Sequence, residues 1–294
     1  MSELQARTLV SSTQLNRHKI TYRVLLTLLV LAFTLIFIGP LYFLFTDGLK
    51  STTEAVQVPP TIIPAHVHPG TYASAWSRVG LGRLLVNTLY YAFGALAFQL
   101  VFDVAAAYSL SRLRPVLGNV IFALMLATLM IPATVLVVPQ YVTVSDLPLL
   151  HLNLIGSPEA IWLPSVANAF NIFLLKRFFD SIPGDLLSAA AIDGASPLRT
   201  LRSVVLPISR PIIGVVSIFS LVAVWKDFLW PLLVEYGYNP NRETLNVGIF
   251  EAASTTPQNL VLAASAMAAV PTLLFFLIFQ RNILSGLTAG SLKG

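Results

Sequence analysis

The sequence predicts an all-α protein that crosses a membrane several times, and three observations carry that expectation. Of its 294 residues, 56% are hydrophobic and only 11% are charged, against about 45–50% and about 25% in soluble domains. The apolar residues gather into six runs, most near the roughly 20 residues that cross a hydrocarbon core. The runs are continuously apolar and lack the alternation of a lipid-facing barrel strand, so each reads as a helix. The absence of cysteine removes disulfides, thiolate metal sites and cysteine nucleophiles.

Taken in order, the crossings are Val24 to Phe45, Leu84 to Leu110, Val116 to Val138, Ala160 to Leu175, Ile212 to Val234 and Leu260 to Phe279. The first is too long for the apolar core of a signal peptide, about 7–15 residues, and no small-residue cleavage site follows it. Pro132 and Pro139 predict kinks in the third, with a role in gating or only in bent packing. The fourth is short and has the least defined ends. Six crossings place both termini on one side. Arg7, Arg17, Lys19, Arg23, Arg112, Arg114, Lys176, Arg177, Arg199, Arg202, Arg210, Arg281 and Lys293 fall on that side, while Lys50, Arg78, Arg83 and Arg242 fall opposite. By the positive-inside rule the termini and the loops after crossings two and four are cytoplasmic. A net charge of +5 distributed in this way gives no reason to expect a nucleic-acid partner.

The external segment from Thr46 to Arg83 is Pro-rich. It holds His66 and His68, a metal pair by spacing but without further ligands, and Tyr72 and Trp76, which make it partly aromatic. The cytoplasmic segment from Lys176 to Pro211 is longer than a bare channel needs. Pro183, Asp185 and the run Leu186 to Ile192 predict one short helix, with Gly194 as its stop. Ser196-Pro197 starts a second, limited by Pro207 and Pro211. Two short helices meeting at a glycine bend, with small residues Ala189, Ala190, Ala191 and Ala195, suit a groove on a partner or the lipid headgroup region.

These residues resemble the inner-membrane permease subunits of binding-protein-dependent ABC importers, in the maltose-type carbohydrate class. The family motif is Glu-Ala-Ala, three residues, Gly, nine residues, then Ile-x-Leu-Pro. Ala189-Ala190, Asp193-Gly194-Ala195 and Val204-Val205-Leu206-Pro207 match it in register, with Ser188 in place of the Glu that is implicated in ATPase docking. The likeness extends through Lys50 to Ala55, Asn87-Thr88, Ala106 to Arg112, Trp225-Lys-Asp-Phe-Leu-Trp-Pro231, Thr244 to Gly248 and the tail Gly286 to Gly294.

The resemblance implies the type I ABC importer permease fold: six transmembrane helices with a cytoplasmic coupling helix. It implies a cytoplasmic segment 1–23, a permease domain 24–282 with its coupling loop at 178–210, and a cytoplasmic tail 283–294. Ser188, Ala189, Ala190, Asp193, Gly194, Ala195, Leu206 and Pro207 are then expected to couple to an ATPase, and Gly286, Thr288, Gly290 and Lys293 to reach it from the tail. The expected partners are a second, homologous permease, two cytoplasmic ATP-binding subunits, an external solute-binding protein and a carbohydrate or related polyol or sugar phosphate. The chain has no phosphate-binding loop of the Gly-x-x-x-x-Gly-Lys type. ATP and Mg²⁺ are therefore expected on the partner subunits, with no cofactor or metal on this chain and no enzymatic activity of its own.

Ionisable residues inside a crossing cost about 2.5–3.5 kcal/mol each on insertion scales and are functional candidates by default. Asp103 lies near the cytoplasmic boundary, where a hydrogen-bonded structural role is the better reading. Lys226 and Asp227 lie deeper. On a continuous helix Lys226 shares a face with Trp230, which gives a donor beside an aromatic platform as a sugar path requires, with Trp225 adjacent. The same residues also read as interfacial belt aromatics with a lysine that snorkels outward. The rivals to an ATP-driven importer are an ion-gradient transporter, which would show paired repeats and broken helices at midmembrane, and a membrane scaffold that recruits a cytoplasmic protein.

Overall fold

A computed structural model describes residues 19–289, with side chains from 20 to 280. The described residues are helical, and an isolated antiparallel bridge pairs Leu147 with Leu152. The helices are α1 Lys19–Asp47, α2 Thr52–Ala55, α3 Gly70–Val79, α4 Leu81–Tyr108, α5 Gly118–Thr128, α6 Ala133–Ser145, α7 Glu159–Ser165, α8 Ala169–Ser181, α9 Gly184–Ile192, α10 Pro197–Thr200, α11 Leu206–Ile208, α12 Arg210–Lys226, α13 Leu229–Val234, α14 Leu245–Ala252 and α15 Gln258–Ala289. A π-helical turn, Ser109–Leu113, extends α4, and another, Leu201–Val205, joins α10 to α11.

Crossings one, two and six lie within α1, α4 and α15, which are the three described helices long and apolar enough to span a bilayer on their own. The other three runs are helical but broken, each at a residue whose chemistry explains the break. Crossing three is two helices, α5 and α6, which meet at 108°. Pro132 lacks an N–H and pushes its predecessor out of the α region; the chain tightens through Leu129, Met130 and Ile131 into three-residue turns and restarts after Pro132 at φ −59°, ψ 131°. At 11 and 13 residues the halves are about 16 and 20 Å long, so neither alone crosses roughly 30 Å of hydrocarbon.

Crossing four is α7 and α8, separated at Asn168. The Asn168 side chain caps α8 by accepting from the N–H groups of Phe170 at 3.0 Å and Asn171 at 3.1 Å, a role asparagine fills better than most residues. Crossing five is α12 and α13, separated at Asp227, where the backbone is extended at φ −67°, ψ 132°. The kink expected at Pro132 is thus a full break, and a single continuous helix for the fourth and fifth runs is corrected.

At the bundle's centre α4 packs against α7, α8, α12 and α14, and α15 packs against α1, α3 and α12. Three apolar clusters order the interior. One gathers Val104, Tyr108, Phe179, Ile182 and Val205 at one end of α4; a second gathers Leu81, Leu84, Leu245 and Leu260 at the other; a third holds Tyr91, Ile161, Trp230 and Val234 between them. Most of α1 is exposed along its length, as expected of a helix that meets lipid rather than protein. The Pro-rich segment between α1 and α4 forms α3 over Tyr72 and Trp76: Tyr72 donates to the Phe45 carbonyl at 2.7 Å, while Trp76 stays exposed. Among the described residues no group of three or more His, Asp or Glu could hold a metal ion.

Candidate functional site

Between α8 and α12 the chain leaves the bundle as a helical hairpin and returns. Pro183, at φ −54°, ψ 133°, precedes α9, which supplies no buried residue. At its end Ala195 N–H bonds the Ala190 carbonyl at 2.9 Å and Gly194 N–H bonds the Ala191 carbonyl at 3.0 Å, the paired pattern of a Schellman stop. That geometry places Gly194 at φ +76°, yet a Cβ built on it meets nothing within 4 Å. The glycine is required for its backbone angle, not for room. Ser196 then caps α10, accepting from the Arg199 N–H at 3.4 Å. The second arm runs to Ile208, one residue past Pro207, and turns by 82° at Ser209 into α12.

The hairpin is held from beneath. Tyr108 at the end of α4 donates to the Pro197 carbonyl at 2.9 Å. Arg112 donates to the carbonyls of Phe179 and, at 2.8 Å, Ile182, which fixes the entry to α9. Leu187, Leu201 and Leu206 pack on the apolar cluster around Phe179. Its upper surface is unsatisfied: Leu186, Ile192 and Leu198 are exposed, Ile192 at 86%. Of the residues singled out by sequence, Ser188, Ala189, Asp193 and Gly194 are exposed, Ser188 in the wall of a cavity it shares with Tyr108 and Arg112, and Ala190 and Ala195 are half-buried. Leu206 faces the core, and Pro207 is exposed on the returning arm. The motif thus divides between a presenting arm and an anchoring arm.

The structure separates the intramembrane candidates. The chain is extended at Asp227, so Lys226 and Trp230 are not one turn apart on a shared face, and the pairing expected of a continuous helix is corrected. Trp230 turns inward, only 9% exposed, and donates its indole N–H to the Ala160 carbonyl at 2.9 Å. Trp230 and Asp227 line a central cavity of about 260 Å³, together with Thr88, Tyr91, Thr134 and Gln140. Ser165 and Thr244 also contribute; the buried Thr244 hydroxyl has no hydrogen-bond partner among the described residues. Lys226 and Trp225 line a different, more open cavity of about 430 Å³ with Asn246, Ser265 and Thr272. Chemically, the central cavity offers hydroxyl, amide and carboxylate groups around an indole, a surface suited to a hydroxyl-bearing solute.

Asn246, seen in the sequence only as part of a longer match, is what holds the α12–α13 break. Its amide donates to the carbonyls of Trp225 at 3.1 Å and Asp227 at 3.2 Å, groups that the interrupted helix leaves without partners. Asp103, fully buried, accepts the Asn168 N–H at 2.9 Å and so holds the break of crossing four. The tail residues Gly286 and Thr288 fall in α15, their side chains outside the described range; Gly290 and Lys293 lie outside the described residues.

Residues 99–284 match the family of binding-protein-dependent transport system inner membrane components. The chain belongs to that family. It is therefore a membrane-embedded transport permease that works with a solute-binding protein. At 30% identity it resembles the sn-glycerol-3-phosphate transport system permease protein of Rhizobium meliloti (strain 1021), over 86% of this chain and 91% of that one. The melibiose/raffinose/stachyose import permease protein of Bacillus subtilis (strain 168) is also 30% identical, over 87% and 91%. The sulfoquinovosyl glycerol transport system permease protein of Agrobacterium fabrum is 33% identical, over 86% and 88%. Among solved structures, the fold matches that of a bacterial ABC transporter involved in the import of the acidic polysaccharide alginate, with a TM-score of 0.76 at 22% identity, covering 93% of this chain and 99% of the other. This ABC importer permease is built on the same fold.

Proposed function

We propose that the chain is one of two permease subunits of an ATP-driven importer for a carbohydrate or a related polyol, and that the Gly194 hairpin is where work from two ATP-binding subunits enters it. Both termini and the hairpin then face the cytoplasm, ATP and Mg²⁺ bind to the partner subunits, and Gly286, Thr288, Gly290 and Lys293 lie in a tail directed at them. The substrate class is supported by relatives named for sugars, a glycosyl glycerol and glycerol phosphate.

The observation that carries the coupling role is the contrast between the two sides of the hairpin. Its upper side exposes Leu186, Ile192 and Leu198, while its lower side is tied to α4 and α8 through Tyr108 and Arg112. An exposed apolar crest invites a protein partner, and rigid ties beneath it transmit displacement that a flexible loop would absorb. As α12 leaves Ser209 at 82°, a push along the hairpin tilts α12 and the walls of both cavities.

The test is reconstituted uptake by the assembled complex with Gly194→Val. The side chain meets no neighbour in this chain but opposes the φ of +76°, so the complex is expected to assemble and lose ATP-driven uptake. Full uptake by the assembled variant would remove the hairpin from the coupling path. Uptake by the wild type without ATP-binding subunits would support the ion-gradient reading instead.

A further inference from the structure

Beside the hairpin, where α4 ends and α5 begins, lies a cavity of about 560 Å³ with Arg112, Arg114 and Lys176 in its wall. The one carboxylate there, Asp180, is already engaged: one oxygen accepts from Ser111 at 2.6 Å and the other from Lys176 at 2.8 Å. No carboxylate among the described residues forms an ion pair with Arg112 or Arg114. Arg112 spends its terminal nitrogen on the Phe179 and Ile182 carbonyls and leaves its buried Nε without a partner. Arg114 stands in the left-handed region at φ +48°, an uncommon conformation for a residue other than glycine. Gly118 and Asn119 bring the first turn of the 11-residue α5 to the same wall, adding the positive end of a helix.

Two unopposed guanidiniums, an ammonium and a helix N-terminus around one engaged carboxylate make a site for a phosphoryl anion. The exposed Val116 lines it, and the exposed Leu113 and Leu117 adjoin its lining residues in the chain, as acyl chains would require. We propose that this cavity holds the phosphate of an anionic phospholipid headgroup, its chains lying along Leu113, Val116 and Leu117. The site is separate from the central cavity and from the cavity at Lys226, and its occupancy does not depend on what the transporter carries.

Native mass spectrometry of the purified, delipidated protein, titrated with phosphatidylglycerol, phosphatidylcholine or inorganic phosphate, tests this. Phosphatidylglycerol is expected to be retained in preference to phosphatidylcholine. Removing one charge with Arg114→Gln is expected to weaken that retention about five-fold, while Arg114→Lys restores most of it. Arg210→Gln, an equal loss of charge outside the cavity, leaves it unchanged. Asn119→Asp, which adds a carboxylate to the wall without touching the ties of Arg112, weakens it as well. Binding of inorganic phosphate with the same dependence on Arg114, and no preference between the lipids, would keep the anion site but overturn the lipid as its occupant. Equal retention of both lipids without phosphate binding, or equal loss in the Arg114→Gln and Arg210→Gln variants, would overturn the site itself.

Discussion

The hydroxyl of Tyr108 donates to the carbonyl of Pro197 at 2.9 Å, 89 positions away along the chain. This bond ties the end of the central helix α4 to the arm that follows Gly194, so it is one route by which a displacement of the hairpin reaches the core. Tyr108→Phe removes the bond and little else. A single hydrogen bond contributes about 1 kcal/mol, so the complex should assemble with a slightly lower melting temperature. Uptake per ATP hydrolysed should fall about two- to five-fold; an unchanged ratio would show that the tie does not transmit motion.

At Gly194 the backbone angle and not space is limiting, which predicts an order among substitutions. Asparagine tolerates the left-handed region, and β-branched residues do not. Gly194→Asn should retain more uptake than Gly194→Ala, and Gly194→Val the least, with a spread of about 1–2 kcal/mol in local stability. Equal uptake in all three, measured in assembled complexes, would contradict the geometry.

The hairpin was legible in the sequence and the cavities were not, for a physical reason. Gly194, Ser196 and Pro197 act on the backbone within a few residues, so their chemistry can be read locally. The long crossings α1, α4 and α15 declare themselves by uninterrupted hydropathy. Hydropathy says nothing of direction, however, so only the break marked by Pro132 was legible, and those at Asn168 and Asp227 were hidden inside apolar runs. The breaks at Asp227 and Asn168 are held by partners distant in sequence, Asn246 and Asp103. A helical wheel placed Lys226 beside Trp230 because it assumed the continuity that Asp227 interrupts. The Pro-rich segment between α1 and α4 also folded further than its prolines suggested, with Tyr72 drawn onto the end of α1.

Separation of Lys226 from the central cavity gives opposite expectations for neighbouring residues. Asp227 shares its cavity with Trp230, Thr134 and Gln140, and a hydrogen bond from a solute hydroxyl to a carboxylate is worth about 1.5–3 kcal/mol. Asp227→Asn should therefore lower uptake at least ten-fold at subsaturating solute. Lys226→Ala, in the other cavity, should change it less than about two-fold. Transport assays with the solute supplied by its binding protein distinguish the two, and the reverse order would move the solute path to Lys226.

On the face opposite the hairpin, Glu243 is almost fully buried, and burial together with the neighbouring Glu251 pushes its carboxyl up to about 7, against an opposing pull from Arg83. A carboxyl whose folded pKa exceeds its unfolded value of 4.5 binds more protons in the folded state between those two values. Its contribution to stability is therefore present at low pH and declines as pH rises through about 7. The melting temperature of the purified protein should fall between pH 5 and pH 8. Glu243→Gln, which keeps the shape and removes the titration, should flatten that slope; a slope unchanged in the variant would assign it to other groups.

Asp103 and Asn168 provide the sharpest test of whether a buried acid serves structure or transport. Asp103 accepts the Asn168 N–H at 2.9 Å, while the Asn168 side chain caps α8. The two residues therefore act in series on one break, and their substitutions should not add. Asn168→Ala removes the cap at a cost of about 1 kcal/mol, while Asp103→Ala strands a buried backbone donor at a cost of about 1–3 kcal/mol. The double variant should be less destabilised than the sum, because once α8 has lost its cap the N–H that Asp103 serves is no longer held in place. Solute affinity should change little in any of the three, since neither residue lines the central cavity or the one at Lys226. Additive losses of stability, or altered solute preference on Asp103→Ala, would instead place Asp103 in the path.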